Sequence, residues 1–177
     1  MHRFTYMRKK LETEYLAESL RGHLTYFVTN YHKMHDGDEG RVALRLDGAE
    51  LIKSNYFERM AAQWHHYYDN ASDSDGSTVK WDEATLKTLH DGEFFQIDFY
   101  RAFAEFDSQS IEQSRSSENA LVRMFALLDR RTGKRTLEKL RPVMAHEPQW
   151  LQLVYFIRLE AEHMPLLPEN SMQEQSI

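Results

Sequence analysis

The sequence predicts an α+β fold: an N-terminal helix, a three-stranded antiparallel sheet and a second helix, followed by an all-helical bundle. Three observations predict it. Apolar residues recur every three or four positions near the N-terminus and again after Trp81, the spacing of one helix face. Between these regions Arg41 to Asp47 alternates Val42, Leu44 and Leu46 with Arg41, Ala43 and Arg45, the period of a half-buried strand. An Asp47-Gly48 pair then supplies the residues a tight hairpin demands.

In chain order, Phe4, Met7, Leu11, Tyr15 and Leu16 mark an amphipathic helix from Phe4 to Leu20, ended by Gly22. LTYFVTNYH, Leu24 to His32, is rich in β-branched and aromatic residues and predicts the first strand. His35 to Gly40 reads as a turn, Arg41 to Asp47 as the second strand and Ala49 to Lys53 as the third. Asn55 with Glu58 resembles a capping box opening a helix to Asp69, with Phe57, Met60, Ala61, Trp64 and Tyr68 as its apolar face. Residues 70–80 are small and polar and predict a mobile loop.

Helices are then expected over Trp81 to His90, over Glu93 to Gln113, in an apolar stretch capped by Ser116 or Ser117, over Arg135 to His146 and over Gln149 to His163. In the third of these Leu121, Val122, Met124, Phe125, Ala126, Leu127 and Leu128 are interrupted only by Arg123, so it should lie inside the fold. Gly133 is expected to close it in the left-handed conformation. Pro142 should kink or stop the next helix, and Pro148 should open the last. Residues 1–165 read as one domain and 166–177 as a frayed tail.

A chain of 177 residues can bury a core without disulfides or metals, and it contains no cysteine. That excludes thiolate metal sites and thiol nucleophiles. The first ten residues hold no apolar signal core, and no apolar run approaches the roughly 18 residues of a membrane span, so a cytoplasmic protein without membrane contact is expected.

Charge is unevenly placed along this acidic chain, whose net charge is −6. Residues 69–118 carry twelve acidic and four basic side chains, whereas residues 119–141 carry seven basic and two acidic ones. The basic stretch offers Arg123, Arg130, Arg131, Lys134, Arg135 and Lys139 as anion-binding candidates, with Arg141 beside them. Arginine forks suit phosphate or carboxylate oxygens, and the N–H groups opening the next helix would add to such a site. Oppositely charged neighbours could equally neutralise the stretch.

Familiar catalytic patterns are missing. Gly133-Lys134 is followed by Arg135, and Leu128 stands where a P-loop needs its first glycine. There is no GxSxG elbow. Glu160 with His163 supplies only half of a carboxylate di-iron pattern, His32, His35, His65 and His66 lack ligand spacing, and Asp36 to Gly40 lacks the later ligands of a calcium loop, so no cofactor is implied. Asp98, on FFQIDFYRAF, is the carboxylate most exposed to partial burial, with Arg101 and Glu105 as ordinary helical partners. The order helix, three strands, helix is shared with double-stranded-RNA-binding domains, but NYFERMAAQ offers only Arg59 where those domains place lysines.

ENALVRMFALLDRRTGKRTLEKL (Glu118 to Leu140), the upstream FFQIDFYRAFAEFDSQSIEQSRSSEN, GRVALRLDGAEL (Gly40 to Leu51) and WLQLVYFIRLEAE (Trp150 to Glu162) together resemble a widespread bacterial family of uncharacterised hypothetical proteins. The resemblance runs from the first helix to Glu162; it implies a bacterial cytoplasmic protein and transfers no catalytic residue. The expected function is a non-enzymatic binding or regulatory protein whose basic patch holds nucleic acid or an acidic protein. The alternatives are an immunity or inhibitor protein covering a basic partner with residues 69–118, and an enzyme acting on a phosphorylated small molecule. Oligomeric state is not legible in the sequence.

Overall fold

The computed structural model describes residues 4–30, 40–69 and 78–166. The predicted turn at residues 35–39, the predicted loop over 70–77, the tail from residue 167, and His32 and His35 lie outside them. The elements are α1 (Phe4–Lys9), β1 (Leu24–Asn30), β2 (Gly40–Leu46), β3 (Ala49–Asn55), α2 (Tyr56–Asp69), α3 (Thr78–His90), α4 (Gln96–Ser108), α5 (Ile111–Arg115), α6 (Ala120–Leu128), α7 (Lys134–Met144) and α8 (Gln149–Ala161). The α+β order read from the sequence is the order found.

The sheet is antiparallel in the order β1-β2-β3. Asp47 (φ 49°) and Gly48 (φ 83°) both take positive φ, so the β2–β3 hairpin closes in the primed turn whose twist matches the strands. A bulge between Leu44 and Arg45 lets β3 continue to Asn55. Leu24, Tyr26, Val42, Leu44 and Ile52 are buried on the face that α4 covers. On the other face Arg41 and Arg45 share Glu50, and the Arg45 guanidinium lies 3.9 Å from the centre of the Phe27 ring.

The helix expected from Phe4 to Leu20 does not run through. After α1 a single wider turn spans Lys10–Glu14, closed by Tyr15 N–H donating to the Lys10 carbonyl at 2.9 Å. Leu16 then pairs as a bridge with Asp129: Ala17 N–H donates to Leu128 O (2.9 Å) and Arg130 N–H to Tyr15 O (2.7 Å). A non-local strand-like contact thus replaces the last helical turns. Lys10 and Tyr15 both bond the Asp107 carboxylate, which fixes this segment to α4 and raises the lysine's pKa well above its ordinary value.

Two further boundaries differ from the periodic reading. The helix expected from Glu93 to Gln113 breaks after Ser108 because Ser110 forms a capping box with Gln113 and starts α5. Residues 78–80, read as loop, form the first turn of α3. Pro142 sits inside the last turns of α7, which ends at Met144, and Pro148 is the N-cap of α8.

The face of α2 is inverted relative to expectation. Phe57, Trp64 and Tyr68 are 53%, 43% and 65% exposed, whereas Arg59 and Gln63 are buried. Gln63 donates to Trp81 O (3.1 Å) and to Thr85 Oγ1 (2.7 Å), tying α2 to α3. Asn55 caps the helix, its Oδ1 accepting from Phe57 and Glu58 N–H while its Nδ2 donates to Glu58 Oε2.

The core gathers around α6, of whose nine residues only Arg123 is not buried. At its far side Gly92 (φ 87°) turns the chain between α3 and α4 directly under Trp150, whose Nε1 donates to His90 O at 2.8 Å. A Cβ there would lie 2.8 Å from Trp150 Cδ1. Gly92→Ala therefore combines a left-handed backbone with a ring clash and is expected to cost about 1–3 kcal/mol in urea denaturation. A loss below about 0.5 kcal/mol would show that the indole moves aside freely.

Candidate functional site

Of the basic stretch only Arg130, Arg131 and Lys134 line one groove at the α6–α7 junction; Arg123 reaches back to the start of α6, and Arg135, Lys139 and Arg141 are spread along α7, so each cation has a distinct fate. Asp129 ends α6; its side chain is fully buried, and it accepts from Arg131 N–H (2.7 Å), Arg131 Nε (3.0 Å) and Arg131 Nη2 (2.7 Å). The same guanidinium lies 5.0 Å from the Tyr15 ring centre and 5.6 Å from that of Phe106. Thr132 is buried, with its hydroxyl donating to Ala126 O at 2.6 Å. Local side-chain bonds therefore terminate α6. Gly133, with φ −78° and ψ 170°, is the extended N-cap of α7, not the left-handed end of α6.

Arg123 donates to Ser117 O (2.7 Å), Glu118 O (2.9 Å) and Glu147 Oε2 (2.8 Å), so it fastens the start of α6 to the α7–α8 turn. Lys134 donates to Glu162 O at 2.8 Å, satisfying a carbonyl at the end of α8. Arg141 forks onto Glu138 and reaches the carbonyls of Pro165 and Leu166, which ties down the start of the segment read as frayed. Arg130, Arg135 and Lys139 are exposed and have no side-chain partner among the described residues. Arg135 and Lys139, four apart on α7, share one helix face.

The neutralising carboxylates thus come from Asp129, Glu138, Glu147 and Glu162, not from the acidic stretch before α6. That stretch spends most of its described carboxylates on other partners: Asp91 on His66, Glu93 on Ser54, Asp98 on Arg59, Glu105 on Ser117, Asp107 on Lys10 and Glu112 on Arg115. Asp98 is buried against Arg59, not paired with Arg101, and this removes Arg59 as a phosphate contact.

An open groove of about 610 Å³ lies at the junction, lined by Ser19, Arg130, Arg131, Lys134, Arg158 and Glu162 among others. Arg158 and Glu162 were not singled out in the sequence, although their spacing of four at the end of α8 was a signal for an ion pair. Arg158 is 2% exposed; its Nη1 donates to Ser19 Oγ (3.0 Å) and to Glu162 Oε1, and its Nη2 to Thr132 O (3.3 Å). Its Nε is buried without an acceptor. Burial pushes the Glu162 carboxyl up, but the bonds from Arg158 and Ser19 outweigh that and leave its pKa lowered.

Among the described residues no three His, Asp or Glu side chains gather as a metal site, and no helix is long and apolar enough to cross a membrane. No curated protein and no solved structure matches the chain. A model of the SF0329 protein family, whose members have no established activity, matches residues 3–159. Most of the chain, from α1 into α8, lies in that match, and the protein belongs to the SF0329 family.

Proposed function

We propose that this is a non-enzymatic binding or regulatory protein of the bacterial cytoplasm that holds an anionic partner, nucleic acid or an acidic protein face, at the α6–α7 junction. The observation that carries this reading is the division of labour among the cations. Arg123, Arg131 and Arg141 are committed to the fold and Lys134 bonds the end of α8 from an exposed position, while Arg130, lining an open groove, and Arg135 and Lys139, along α7, stand exposed and unpaired. Free cations at the opening of α7 can exchange counterions for phosphate or carboxylate groups without breaking an internal bond.

The reading that residues 69–118 cover a basic partner is left with fewer carboxylates, chiefly exposed Asp82, Glu83 and Glu118. It is the weaker proposal for that reason.

Titration of labelled duplex DNA, RNA and an acidic peptide, each at low and moderate salt, tests the junction. Binding is expected at low salt and should weaken steeply as salt rises. The triple variant Arg130→Ala, Arg135→Ala, Lys139→Ala should flatten the logarithmic salt dependence by up to about three, roughly one per lost contact. Its stability should stay within about 0.5 kcal/mol of the wild type, since none of the three supports the fold. No binding by the wild type to any of the three probes at low salt would overturn the proposal.

A further inference from the structure

The end of the groove nearest α7 has features of a site for one compact oxyanion. Helix α7 begins without a side-chain cap, because its N-cap is Gly133, and a Cβ at that position would meet nothing within 4 Å. The N–H groups of Thr136 and Leu137 are taken by Gly133 O, whereas those of Lys134 and Arg135 have no hydrogen-bond acceptor among the described residues. Beside this opening Arg158, almost wholly buried, also lines the groove, and its buried Nε meets no acceptor. Buried donors are seldom left so.

A third feature identifies the chemistry. The Glu162 carboxylate rests among Arg158 Nη1, Ser19 Oγ at 2.8 Å and Lys134 Nζ at 3.8 Å. Two cations and a hydroxyl around paired oxygens would receive a phosphate as readily as a carboxylate. Yet Glu162 follows the last residue of α8, where the helix dipole disfavours an acid, so its position depends on those three donors. Its side chain is 19% exposed and lines the groove.

We propose that the groove between Gly133 and Arg158 is a site for a phosphate group, inorganic or as a monoester, and that Glu162 occupies it as an internal competitor until the ligand displaces it. The inference rests on reading the junction as an anion-binding face and names the chemical group that face selects. On displacement the ligand's oxygens meet Arg158, Ser19 and Lys134, and the free N–H groups of α7 lie at the same end of the groove. Arg131 stays on Asp129 and takes no part.

Calorimetric titration of the full chain with inorganic phosphate, and separately with glycerol phosphate, at matched ionic strength tests this. Glu162→Gln keeps an acceptor for Ser19 but removes the competing charge, and it should bind phosphate about tenfold more tightly than the wild type. Lys134→Ala, at a side chain that is 61% exposed, should fold normally and weaken phosphate at least tenfold in either background. Tighter binding of glycerol phosphate than of inorganic phosphate would assign the site to monoesters, and the reverse to the free ion. Equal phosphate affinity in wild type and Glu162→Gln, or an unchanged affinity in Lys134→Ala, would overturn the proposal. The Arg135→Ala, Lys139→Ala double variant separates it from the wider reading: it should weaken nucleic acid or acidic peptide while leaving phosphate affinity within about twofold.

Discussion

Arg59→Ala is expected to lose about 3–5 kcal/mol of folding free energy, the usual cost of leaving one member of a buried ion pair behind. Arg59 is 5% exposed and Asp98 3%, and they meet through Nε–Oδ2 at 2.9 Å and Nη2–Oδ1 at 3.3 Å. Asp98 also accepts from Phe95 N–H at the start of α4, so the pair joins α2 to the N-terminus of the helix that covers the sheet. Burial pushes the Asp98 carboxyl above its ordinary pKa even though Arg59 pulls it down. Without the guanidinium the upward effect is opposed only by the weak Phe95 bond and the charge of Arg101.

That shift fixes a sign for pH dependence. A carboxyl whose folded pKa lies above its unfolded value binds more protons in the native state, so its contribution to stability falls as pH rises through that interval. The deficit of Arg59→Ala should therefore be largest at neutral pH and shrink as pH falls through the raised Asp98 pKa. Urea denaturation across that range measures it. Arg59→Met with Asp98→Leu together should cost far less than Arg59→Ala alone, because no charge is left buried. Equal losses in the single and double variants would show that the pair contributes only packing.

The same pair explains where the sequence could be read and where it could not. Asp98 stood out as a carboxylate among aromatic residues, but its partner lies 39 positions away on a helix whose arginine looked like a solvent residue. Amphipathic reading sends charge to water, so it turned α2 the wrong way and placed Phe57, Trp64 and Tyr68 inside. Local chemistry was more legible. Asp47-Gly48 specified its hairpin, and the unbroken apolar run of α6 identified a buried helix. The α1 break was invisible because it depends on Leu16 meeting Asp129, a pairing with no local signal. Six cations lie close together in the sequence, but which are free depends on Asp129, Glu147 and Glu162, whose approach only the fold supplies.

Phe125→Ala should produce the other large loss, about 3–5 kcal/mol, for a different reason: a cavity at the centre of α6. The ring is 1% exposed and lies 5.1 Å from Phe99, 5.6 Å from Phe106 and 6.0 Å from Tyr26, centre to centre. Phe99 and Phe106 belong to α4, and Tyr26 to β1. One side chain therefore touches both the sheet and the helical part, and neither neighbour can close the void without leaving its own position. Phe57→Ala, at a ring that is 53% exposed on α2, should cost under about 1 kcal/mol and serves as the control. Because the core cluster runs continuously from Met7 to Leu159, Phe125→Ala should lower a single cooperative transition seen alike by near- and far-ultraviolet circular dichroism. Separate transitions for sheet and helices would mean that the two parts fold independently, and a loss below about 1 kcal/mol would mean that α6 can collapse into the vacated space.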